Sequence, residues 1–193
     1  MLKYLVFVGV LVQLIVIFSY SREIIRGKVK PNRITWLMWS LAPLIAAAAG
    51  FVSGVGLAVV PVFMSGFGSL LIFIISFVNK KSYWKLETFD YWCGFFSLLA
   101  LILWGITKQP IVAIIFAMIS DFFAAVPTLA KAWKHPETEN AAPYLAGLFN
   151  ALTSFAAVKM WGFTELAFPI YLILIDSSLA LAVIRKKLRL NFG

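Results

Sequence analysis

Residues 120–152 read SDFFAAVPTLAKAWKHPETENAAPYLAGLFNAL. They spell an apolar helix with one acid, Asp121, and a proline near its end, Pro127, then a short polar turn and a second apolar helix with Asn150 at mid-length. An earlier stretch, residues 13–42, has the same layout, and a shift of 108 residues lays it on residues 121–150 without a gap. A helical layout met twice at a fixed offset predicts a duplicated membrane unit.

The composition around this stretch agrees. The chain has 193 residues, 62% of them hydrophobic and 13% charged, with a mean hydropathy of +0.94. Such a surface faces lipid rather than water. At about 20 residues per span the length holds roughly seven spans and no separate soluble domain. A net charge of +9 in a soluble protein suggests nucleic acid. Here the basic residues cluster beside apolar runs, where they set topology, and no nucleic-acid partner is expected.

Seven apolar runs are visible, at residues 2–18, 36–51, 57–78, 89–106, 110–129, 141–158 and 166–184. Each is expected to cross the bilayer as a helix, because hydrocarbon offers no partner to an open backbone amide. With the N-terminus outside, only Lys3, Lys108 and Lys159 of the 17 basic residues fall outside, so the expected orientation is N-out and C-in. The first run begins like a signal peptide but lacks a small-x-small cleavage site and has a counterpart later in the chain, so it reads as a retained helix. Trp36, Trp84, Trp104 and Trp161 fall near predicted helix ends and are expected at the interface.

At the 108-residue offset Asn32 meets Asn140, Trp36 meets Tyr144, Gly54 meets Gly162, Pro61 meets Pro169 and Ser69 meets Ser177. Three helices is an odd number, so two copies share an orientation only if one helix lies between them. The expected fold is all-α and integral to the membrane, with seven transmembrane helices arranged 3+1+3. Its single domain divides into a first repeat at 1–78, a linker helix at 79–106 and a second repeat at 109–186. Two parallel repeats place a pseudo-twofold axis along the membrane normal.

The motif residues resemble the PQ-loop and SWEET superfamily of seven-helix transporters. In that family a Pro-Gln pair ends the first and fifth helices, a short cytoplasmic turn follows, and an Asn lies in the next helix. Here Val126, Pro127 and Thr128 are expected to end the fifth helix, Lys131, Trp133 and Lys134 follow, and Asn150 sits in the sixth. The chain departs from the pattern at Thr128, which stands where the glutamine is expected, and at Ser19 and Tyr20, which replace the pair in the first copy. Residues 32–39, NRITWLMW, also resemble the Trp-rich helix starts of the PnuC vitamin transporters, which share the 3+1+3 plan. The resemblance implies a transporter of a small sugar- or vitamin-like solute. It also allows a non-transporting receptor or scaffold, since a sorting receptor of the secretory pathway has the same plan.

Two acids lie well inside predicted helices, Asp121 in the fifth and Asp176 in the seventh. An unpaired charge at that depth costs several kcal/mol, so such groups face the bundle interior and are candidates for carrying a proton or a cation. Asn150, Thr153 and Ser154 share one face of the sixth helix, and an Asn can both donate to and accept from a hydroxylated ligand. Ser65 and Ser69 share a face of the third helix, and Trp39 lies one turn into the second. The expected substrate site is Asn150, Asp176, Trp39, Ser69 and Thr153, where the two repeats meet, with a ring stacked on Trp39. Pro127 is the candidate hinge, and Pro61 and Pro169 are repeat-related kinks. Gly50, Gly54, Gly56, Gly66 and Gly68 are expected at close helix contacts.

No Cys-His pair, His-carboxylate cluster or Gly-rich phosphate loop is present, so no enzyme, metal or cofactor is expected. Residues 166–184 hold no lysine for a retinal Schiff base. The expectation is a multi-pass protein of the bacterial inner or plasma membrane, whose partners are the bilayer and a small molecule. One chain is sufficient to enclose the site.

Overall fold

The computed structural model describes residues 2–52, 54–107 and 109–191, and no strand occurs among them. The side chains of Trp104, Lys186, Lys187 and Arg189 and the whole of Lys108, part of the patterns above, lie outside the described residues. The α-helices are α1 (Leu5–Ile25), α2 (Arg33–Val52), α3 (Val59–Ile75), α4 (Thr88–Thr107), α5 (Pro110–Lys134), α6 (Ala142–Ser154) and α7 (Phe163–Asn191).

Five helical stretches among the described residues are long and apolar enough to cross a membrane: Leu5–Ile25, Gly56–Ile75, Thr88–Thr107, Ile114–Lys134 and Phe163–Arg185. This is the build of a multi-pass membrane protein. Helix α1 shows why. Its buried stripe contains Gly9, Gln13, Tyr20 and Ser21, whereas its exposed stripe is Phe7, Leu11, Ile15 and Phe18. The outer face is the more apolar one, as a lipid-facing helix requires.

The helices depart from the apolar runs at their ends. Helices α1, α5 and α7 continue past residues 18, 129 and 184 to Ile25, Lys134 and Asn191. In α1 and α5 packing holds the polar ends, since Tyr20, Ser21, Ile24, Lys131 and Ala132 are buried. Helix α6 is shorter than expected. Its 13 residues rise about 20 Å against about 30 Å of hydrocarbon, and the chain then tightens into a 3-10 turn at Phe155–Ala157.

Pro127 does not end α5, which runs on to Lys134. The missing proline N–H leaves a gap in the backbone ladder, and a side chain of α2 braces the region. Thr35 Oγ1 donates to the Ala124 carbonyl (2.8 Å) and accepts from Thr128 Oγ1 (2.9 Å). The glycines also divide. A Cβ at Gly66 would lie 2.8 Å from Leu44 Cγ and 2.9 Å from its backbone N, so α2 and α3 approach closely there. Gly54 and Gly56 instead serve the turn between those helices, with φ of 74° and 77°.

Helix α1 packs on α3 and α6, α2 on α3 and α5, and α7 on α5 and α6. Helix α4 lies mainly against α5. The core gathers between α1–α3 and α5–α7, around Ile17, Tyr20, Trp36, Trp39, Tyr144 and Leu179.

Candidate functional site

A cavity of about 50 Å³ opens within this core. Helix α1 supplies Gln13 and Ile17 to its wall, and α2 supplies Trp36 and Trp39. Helix α3 adds Ser65, Gly68, Ser69 and Ile72. From the second half come Asp121 of α5, Pro143, Tyr144 and Gly147 of α6, and Leu172, Ile175 and Asp176 of α7. No described residue of α4 lines it.

The aromatic wall is a connected set. Tyr20 lies against Trp36 at 5.8 Å between ring centroids, Trp36 meets Trp39 edge-on at 5.2 Å, and Trp39 meets Tyr144 edge-on at 6.2 Å. These separations are those of favourable ring pairs. Trp39 Nε1 donates to the Asp121 carbonyl (3.3 Å), which fixes the indole across the α2–α5 boundary.

The polar wall is only partly satisfied. Tyr171 OH donates to Asp121 Oδ2 (2.8 Å). Gln13 Oε1 and Trp36 Nε1 are buried and have no hydrogen-bond partner among the described residues. Asp176 lies over Gly147, where an added Cβ would sit 2.5 Å from its Oδ2, so glycine makes the room that the carboxylate occupies.

Of the residues expected at the site, Trp39, Ser69, Asp121 and Asp176 come together on this cavity. Asn150 and Thr153 do not line it. Their face of α6 turns toward α1 and α3, where Asn150 Nδ2 donates to the Pro61 carbonyl (3.0 Å) and Thr153 Oγ1 donates to the Asn150 carbonyl (2.6 Å). A Cβ at Gly9 would lie 2.6 Å from Thr153 Oγ1, so the face is closed by the backbone of α1. Both polar groups serve helix contact. Trp36, expected at the interface, is instead buried beside Trp39, because they lie three positions apart and share a helix face.

Gln13, Trp36, Tyr144 and Tyr171 join the site without having been expected there. The signal for three of them is the 108-residue offset, which pairs Gln13 with Asp121 and Trp36 with Tyr144. Tyr171 carries no such mark.

Tyr144 of the cavity wall also belongs to a buried ionic knot. Lys131 and Glu139 pair at 2.5 Å, Tyr20 OH and Tyr144 OH donate to Glu139 Oε2 at 3.1 and 3.2 Å, and Lys131 also donates to the Lys30 carbonyl. The Lys131 ammonium lies 4.8 Å from the centre of the Trp84 ring. Tyr144 therefore belongs to both the cavity wall and the knot. Beside it the two helix starts are tied alike. Asn32 Oδ1 accepts from the Ile34 and Thr35 amides while its Nδ2 donates to Asp90 Oδ1 (2.8 Å). Asn140 Oδ1 accepts from the Ala142 amide while its Nδ2 donates to Glu23 Oε2 (2.6 Å).

No family model, curated protein or solved structure matches this chain.

Proposed function

We propose that this chain is a membrane transporter that moves a small polar solute by alternating access between two three-helix units, α1–α3 and α5–α7, joined by α4. The observation that carries this reading is the make-up of the cavity, which draws residues from all six helices of those units and, among the described residues, none from α4. A site made by both units is exposed to one side or the other as they rock against each other.

Three features support the duplicated 3+1+3 plan. Exchanging α1–α3 with α5–α7 turns the packing of α1 on α3 into that of α5 on α7, and α1 on α6 into α5 on α2. Residues at the 108-residue offset, Gln13 with Asp121 and Trp36 with Tyr144, face the same cavity. Asn32, just before α2, and Asn140, one residue ahead of the α6 N-cap, each hold a helix-start amide and a carboxylate beyond the helix. This is the plan that the resemblance to the PQ-loop and SWEET superfamily implies. In this reading α2 and α6 also cross, giving seven spans, with the N-terminus outside and the basic ends of α1 and α5 in the cytoplasm of a bacterial inner or plasma membrane. The knot around Lys131 and Glu139 is then the cytoplasmic closure, and Pro127, braced by Thr35 and Thr128, is the hinge. A single chain encloses the site.

Reconstitution in liposomes tests the proposal. Solutes that raise the melting midpoint in detergent are tried in counterflow, and wild-type protein is expected to exchange at least one of them while Asp176→Asn, equally well expressed, loses exchange. Binding without flux favours a receptor or scaffold.

A further inference from the structure

Building on the transport reading above, we infer that the cavity takes a small organic ammonium ion, a protonated amine, rather than an uncharged sugar-like ring. Its described lining holds two carboxylates, Asp121 and Asp176, and no Lys, Arg or His. Among the described residues Asp121 has a single side-chain donor, the Tyr171 hydroxyl. The Asp176 carboxylate has no hydrogen-bond or ion-pair partner among the described residues.

An independent observation concerns Gln13. It is 8% exposed and lines the cavity, and its Oε1 has no donor among the described residues. A buried acceptor left unpaired is uncommon in folded proteins and asks for a partner. Three acceptor groups, from α1, α5 and α7, therefore border one small space. An ammonium head has three N–H donors and no acceptor, which matches this set. Trp36, 4% exposed, lines the cavity too, and its Nε1 has no acceptor among the described residues.

Two further features suit a small amine. The walls contributed by Trp36, Trp39 and Tyr144 are aromatic, and ring faces attract ammonium groups. A volume of about 50 Å³ holds roughly three to five waters, enough for a charged head group.

The test uses the full chain in detergent, with ethanolamine hydrochloride, ethylene glycol as its uncharged counterpart, and sodium and potassium chloride at the same concentration. Ethanolamine is expected to raise the melting midpoint well above both salts and the glycol. Asp121→Asn and Asp176→Asn, checked for wild-type elution, are expected to bind it about tenfold more weakly or worse. Equal shifts from ethylene glycol, equal shifts from either salt, no shift from ethanolamine, or undiminished affinity in both variants would each overturn the inference. The comparison of the four additives on the wild-type chain stands even if a variant fails to fold. Counterflow of labelled ethanolamine then separates the two ideas. Binding without exchange removes the transport reading and leaves the amine site, whereas exchange of a neutral solute untouched by Asp176→Asn removes the amine site and leaves transport.

Discussion

Lys131 Nζ lies 2.5 Å from Glu139 Oε1, with both side chains sealed from solvent. Two tyrosines from different helices hold the other carboxylate oxygen, so one carboxylate joins α1, α5 and α6. Removing one member strands the other charge. Lys131→Met and Glu139→Gln should each destabilise the chain by about 3 to 5 kcal/mol. The double variant should lose less than the sum, and a thermal-unfolding double-mutant cycle reads this coupling.

The paired asparagine ties make a graded prediction. Asn32→Ala removes a helix cap worth about 1 kcal/mol, and Asn140→Ala removes a turn bond one residue ahead of the α6 N-cap. Asn32→Ala should cost more than Asn140→Ala, because Asp90, buried at 5% exposure, keeps only the Glu87 amide as a hydrogen-bonded partner among the described residues, whereas Glu23 is half-buried and reaches water. Melting midpoints of the two variants in the same detergent decide the order.

Gly147 and Asp176 compete for one space. Gly147→Ala should displace the carboxylate and cost about 1 to 3 kcal/mol from overpacking. Adding Asp176→Ala should restore much of that stability without restoring ligand binding. Unfolding midpoints and calorimetric titration, measured on the same samples, separate the two effects.

Asn150 distinguishes packing from binding. Asn150→Leu removes the bond to the Pro61 carbonyl and crowds Gly9, so it should lower stability by about 1 to 3 kcal/mol. Because Asn150 does not line the cavity, the affinity of a bound solute should stay within about twofold. A much larger loss of affinity in well-folded protein would show that α6 presents this face to the ligand.

The helical plan was legible because hydrocarbon demands apolar runs, and the runs mark where helices meet lipid. Their ends were not legible, since Tyr20, Ile24 and Lys131 extend helices through contacts with distant segments. Asp121, Asp176, Trp39 and Ser69 could be placed together because buried acids and a repeated layout point to the same interior. Asn150 and Thr153 were assigned to the correct kind of face, a buried polar one. A sequence does not say which neighbour covers such a face, and here it is α1 and α3. Tyr171 reaches Asp121 across 50 residues and has no mark of its own.

The two asparagine ties differ in their timing. A chain emerges from the ribosome amino end first, so Glu23 is already made when Asn140 follows 117 residues later. Asn32 has to wait for Asp90, 58 residues downstream. The second half thus arrives at a partner already laid down, while the start of α2 is completed only after α4 has begun. A nascent chain stalled before residue 90 leaves that amide open, and the linker helix becomes a step in assembly as well as a connection.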